Sequence, residues 1–164
     1  MTQTANTEHP AKKVKTGWEG YTLNCSDAVA KEAHGKHLAE LADNPIEVLD
    51  GIGPVSKQAI EHLGVHTVRD LAKYKYFLTA RSLATLAATE TAKGRPKDSV
   101  MNVDKALVKS FEFKSFKEIA KAPTSVLAGL SEDAAQLLKH LGVKTVGDLG
   151  RWKYCLWAEA IVEA

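Results

Sequence analysis

Apolar positions along this chain recur at helical spacing, in short runs punctuated by glycine, proline and capping residues. Val55, Ala59, Ile60 and Leu63 fall at intervals of 4, 1 and 3, which lays them on one face of a helix. Pro54 suits the first position of that helix and Gly64 stops it. Thr67 then caps the next helix, with Asp70 three residues on as in a capping box. Upstream, Ser26-Asp27 reads as a helix start for a moderate apolar face of Val29, Ala33, Leu38 and Leu41, weakened by Gly35. Asn44-Pro45 opens a short helix. Lys73 to Ala92 predicts a longer closing helix, and Lys93–Asp98, rich in glycine, proline and charge, is the clearest break. Asp98 or Ser99 caps a predicted helix through Met101, Val103, Ala106 and Leu107, and Ser115 to Glu118 matches another capping box.

The stretch Val48–Leu71 returns 78 positions later. Pro45 matches Pro123, Leu49 matches Leu127, and His62-Leu63-Gly64-Val65 matches His140-Leu141-Gly142-Val143. Thr67-Val68, Asp70-Leu71 and Lys75-Tyr76 match Thr145-Val146, Asp148-Leu149 and Lys153-Tyr154 without a gap, the signature of a duplication. No strand-like alternation interrupts the pattern. The expected fold is all-α, with two quasi-equivalent halves packed together behind an extended arm. Residues 1–24 form the arm, 25–92 the first half, 93–98 a linker and 99–164 the second half.

Leu49-Asp50-Gly51-Ile52-Gly53-Pro54, an amphipathic helix, and then Leu63-Gly64-Val65-His66-Thr67-Val68 resemble the helix-hairpin-helix family. The resemblance covers about 45–86 and 123–164. It implies a turn in which Gly51 takes a positive φ and Gly53 clears the mouth of the following helix. In family members that bind DNA, those bare amides hold a phosphate without reading sequence, so Gly51, Gly53 and Lys57 are the candidate contact set. The alternative is that the glycines only make the turn. Asp50 puts negative charge beside the first hairpin. In the second copy Gly53 becomes Ser131, followed by Glu132 and Asp133, acids where a phosphate needs positive potential.

Composition changes the picture little. The 164 residues are 45% hydrophobic and 26% charged, which fits a packed globular core. A net charge of +2 is too small to indicate a nucleic-acid partner by itself. Cys25 and Cys155 form no CxxC pair, which favours an intracellular, reducing compartment. No run is apolar enough to span a membrane. His34 with His37 and His62 with His66 have metal-compatible spacings but no third ligand, so no metal, cofactor or catalytic residue is assigned. No P-loop, nucleophile elbow or dinucleotide fingerprint is present, and no enzyme is expected.

The aromatics are more suggestive. Trp18 and Tyr21 stand in the polar arm with Lys12, Lys13 and Lys15, and Tyr74, Tyr76, Trp152, Tyr154 and Trp157 start the two closing helices. These seven are the candidate protein interface. The alternative is that the halves bury the aromatic faces between themselves. The segment Gly94–Val103 also resembles small tandem proteins of microalgae, which implies a photosynthetic or cytoskeletal assembly. The function expected is a non-enzymatic scaffold or linker subunit bound to other proteins; the alternative is a non-sequence-specific DNA binder using the first hairpin and the basic arm.

Overall fold

Capping chemistry sets where the helices begin. In a computed structural model, which describes residues 23–25, 27–99, 103 and 105–164, three complete capping boxes form. Thr67, Ser115 and Thr145 accept from the amides of Asp70, Glu118 and Asp148, whose carboxylates return to the cap amides. The helices are α1 (Leu38–Leu41), α2 (Pro54–His62), α3 (Val68–Ala72), α4 (Lys75–Thr89), α5 (Phe116–Lys121), α6 (Glu132–His140), α7 (Val146–Gly150) and α8 (Lys153–Glu163). Single 3₁₀ turns stand at Lys31–Ala33, Ile46–Val48, Lys109–Phe111 and Thr124–Val126. The all-α expectation holds: among the described residues there are only helices and four isolated antiparallel bridges. Trp18, Tyr21 and the Lys12, Lys13 and Lys15 stretch lie outside the described residues.

Three expectations need correction. The face Val29, Ala33, Leu38 and Leu41 is not one helix; its backbone is broken into a bridge, a 3₁₀ turn and the single turn of α1. The chain at 28–30 pairs with 48–50 instead, through Ala30 N to Val48 O (2.8 Å) and Asp50 N to Ala28 O (3.0 Å). Val29, Ala33 and Leu41 still reach the core, so burial was legible where backbone form was not. Likewise no helix runs through Val103, Ala106 and Leu107, because Leu107 bridges to Leu127. Finally Val55 is 82% exposed. A side chain in the first helical turn points back past the helix end, here beyond the edge of the core.

The closing helices exchange partners. α4 packs on α5 and α7, and α8 packs on α1 and α3, so each covers elements from the other end of the chain. α2 meets α6, and an Arg81–Glu159 ion pair ties α4 to α8. Phe77, Ala80 and Leu83 of α4 and Cys155, Ala158 and Ile161 of α8 enter one continuous core with Leu49, Leu71, Leu127 and Leu149. Where α7 crosses α4, Gly150 lies so close that a Cβ would stand 2.7 Å from the Ala80 carbonyl oxygen. The segment after α4 is tied down too. Arg95 donates to Ser99 O (2.6 Å) and Glu112 O (2.8 Å), and Glu90 accepts from the Phe116 and Lys117 amides.

The boxes carry a pH dependence. Burial would raise Asp70 and Asp148, but the Thr67 amide and hydroxyl and the His66 amide outweigh it at Asp70, and their Thr145 and Lys144 counterparts, with Arg151, at Asp148. Both lie below their ordinary 3.8, and the Ser115 amide and hydroxyl hold Glu118 below 4.5. A carboxyl depressed in the folded state contributes stability above its unfolded pKa and loses it as pH falls through the folded one. Melting temperature should therefore hold from neutrality to about pH 5 and drop below about pH 4. Thr145→Ala should cost about 1 kcal/mol by circular dichroism at neutral pH.

Candidate functional site

Two turns share one geometry. Gly51 and Gly129 both sit at φ +86°, the left-handed region that an L side chain resists. Gly53 then caps α2 in an extended conformation, exposed, with no atom near the space a side chain would enter. Gly51 and Gly53 are thus open to solvent, as the phosphate arrangement requires. Lys57 is engaged by carboxylates. Its amine lies 2.8 Å from Glu47 Oε1, in the 3₁₀ turn before the hairpin, and 3.8 Å from Glu61 Oε1, one turn along α2. The hydrogen bond to Glu47 raises Lys57 and lowers Glu47 from their ordinary values.

The second turn differs in its capping and charge. Ser131 Oγ accepts from the Ala134 amide (3.1 Å), and Glu132 and Asp133 occupy the first turn of α6. One free helix-end amide is consumed, and the local charge is negative.

Each turn has a tyrosine of the opposite closing helix beside it, and the first is hydrogen-bonded to it. Tyr154 Oη on α8 donates to Gly51 O at 3.0 Å, and Tyr76 Oη on α4 lies 3.2 Å from where a Cβ on Gly129 would begin. The exposed amines of Lys153 and Lys75 lie beside the same two turns, stacked over the Tyr154 and Tyr76 rings at 4.8 and 4.7 Å. The Lys75-Tyr76 and Lys153-Tyr154 correspondence was visible in the sequence, but not the fact that each pair crosses to the other turn. These lysines are the basic groups at the hairpins that sequence reasoning missed.

The aromatic residues named as an interface divide. Tyr74 and Trp152 are buried in the core. Burial pushes the Tyr74 hydroxyl and the Cys155 thiol well above their ordinary values. Tyr76, Tyr154 and Trp157 are half-buried; Tyr154 meets Trp152 and Trp157 edge-on at 5.8 and 5.7 Å, and Lys153 covers Trp157 at 4.9 Å. The described aromatic faces are therefore largely spent on joining α4 and α8 to the rest of the chain.

Four of the histidines have local partners. His34 Nε2 bonds Val29 O, His37 Nδ1 accepts from the Ala39 amide, and His62 and His140 each bond the carbonyl four residues back. Among the described residues no three His, Cys, Asp or Glu side chains gather as a metal site, and no helix is long and apolar enough to cross a membrane.

The turn geometry is testable. Gly51→Val should cost about 2–3 kcal/mol, because it combines positive φ with a Cβ 2.9 Å from Tyr154 Oη. Gly53→Ser, which copies Ser131, should cost nothing measurable in urea unfolding. Equal losses at the two positions would refute the turn assignment. Comparison with protein-family models, curated proteins and solved structures finds no match to this chain.

Proposed function

We propose that this chain is a non-enzymatic docking unit of a larger protein assembly, made of two helix-hairpin-helix halves fused by exchange of their closing helices. The observation that carries this reading is the inward use of the hairpins. Lys57 is paired with Glu47 and Glu61, Ser131 caps the second helix mouth beside two acids, and Tyr154 fastens the first turn to α8. A phosphate grip needs free amides and free cations at the turn; here Lys57 is paired with carboxylates and one amide of the second helix mouth is capped. Native co-purification with mass spectrometry tests the proposal, with stoichiometric protein partners as the expected result.

One observation favours non-sequence-specific DNA binding as a second reading. Gly51 and Gly53 are exposed, with the Lys153 amine 3.9 Å from where a Gly51 side chain would start. Retention on immobilised duplex DNA decides between them. A docking unit elutes below about 100 mM salt, whereas several phosphate contacts hold it far beyond that.

A further inference from the structure

We infer that the groove bounded by α4, α5 and the end of α7 docks an acidic amphipathic helix of a partner protein. This rests on the docking-unit reading and names the partner's chemistry. The groove, about 550 Å³, is floored by Ala84, Ala87 and Ala88 and rimmed by Lys117, Lys121 and Arg151. Among the described residues none of these three cations has a carboxylate within ion-pair reach; the Lys117 amine donates to the Glu90 main-chain oxygen. Two nearby carboxylates are already committed to main-chain amides, Glu90 at the start of α5 and Asp148 at the start of α7.

The positions 78 residues earlier show that the two lysines are particular to one place, whereas Arg151 matches Lys73. Lys121 stands where Asp43 stands in the first half, and Gly147 stands where Arg69 does. Asp43 and Arg69 form a two-pronged ion pair, with oxygens 2.7 and 3.2 Å from the guanidinium nitrogens, that neutralises their surface. In the second half the arginine is gone, Gly147 lets α7 close onto the Ala120 carbonyl, and among the described residues Lys121 has no carboxylate within ion-pair reach. Lys117 replaces Ala39 and adds a second cation one turn away on α5.

Those features select the occupant. Unpaired cations call for carboxylates, and lysines four apart on a helix match acids spaced one turn apart on another. An alanine floor offers contact to an apolar stripe, the usual complement of a helix laid in a groove. It offers nothing to a phosphodiester backbone. The chain's own Lys12, Lys13 and Lys15 arm has the wrong sign.

The probe is a fluorescein-labelled alanine-based peptide with a leucine stripe and glutamates one turn apart, read by anisotropy on the full chain. Wild type should bind it and not its glutamine counterpart. Lys121→Glu with Arg151→Glu should weaken binding by about tenfold or more. Ala88→Trp, which fills the exposed floor without changing charge, should abolish it, and Lys75→Glu at the distant turn should not matter. Unaltered helical circular dichroism shows that each variant folds. Absence of binding, indifference to Ala88→Trp, equal loss with Lys75→Glu, or tighter binding to duplex DNA would each overturn the groove. Native co-purification separates the two readings: partners retained by the Lys121→Glu, Arg151→Glu chain overturn the groove alone, whereas a wild-type chain that binds the probe but is isolated without partners overturns the docking unit.

Discussion

Gly150→Ala is expected to lower the melting temperature by about 4–8 °C, although alanine is the better helix former. Two effects oppose each other at this position. Gly150 ends α7, and helix propensity alone predicts a gain of up to about 1 kcal/mol. The added Cβ would stand 2.7 Å from Ala80 O, 2.8 Å from Ala80 C and 2.9 Å from Arg81 Cα, all main-chain atoms of α4. Backbone cannot swing aside as a side-chain tip can, so the helices must separate, and overpacking of this kind costs about 1–3 kcal/mol. All three contacts fall under 3.0 Å, so the upper end of that range applies; less the propensity gain, a net loss of about 2 kcal/mol follows, and Gly150→Val should lose more. Ala72, the matching residue of α3, already carries a methyl and is buried, so the two crossings are not interchangeable. A raised melting temperature for Gly150→Ala would show that α7 and α4 do not approach as described.

Phe77→Ala is the second large effect, at about 3–5 kcal/mol in urea or thermal unfolding. Phe77 is fully buried on α4, with the Arg81 guanidinium 5.2 Å from its ring centre. Its matching residue is Cys155, also fully buried. The large side chain is supplied from one closing helix and the small one from the other, so losing the phenyl ring leaves a void in the core. Phe77→Leu should retain most of the stability, since it keeps much of the volume. If Phe77→Ala cost under about 1 kcal/mol, the side chain could not be central to the core.

What was legible in the sequence was local. The boxes at Thr67, Ser115 and Thr145 depend on residues three apart, and each formed as read. The turn glycines were legible because a positive φ has few other solutions, and Gly51 and Gly129 adopt it. Residues 28–42 were misread as a helix because their apolar spacing tells which side chains are buried, not which backbone partner satisfies them. A signal was present even so: Ala28, Lys31, Lys36, Glu40 and Ala42 match Ala106, Lys109, Lys114, Glu118 and Ala120 at the same offset. It is sparse, and it marks elements that do recur, the 3₁₀ turns at Lys31–Ala33 and Lys109–Phe111. At the hairpin, Lys57 could be placed on α2 but not paired with Glu47 beyond the turn. The basic groove was invisible, since it is assembled from α4, α5 and α7.

The crossed seating of α4 and α8 bears on how the molecule comes apart. Neither end of the chain completes its interior without a helix borrowed from the other. A protease nick between Lys93 and Asp98 should therefore leave two pieces that stay associated, co-elute on gel filtration and melt together in one cooperative step. Expressed separately, each piece should remain poorly structured until mixed with its complement.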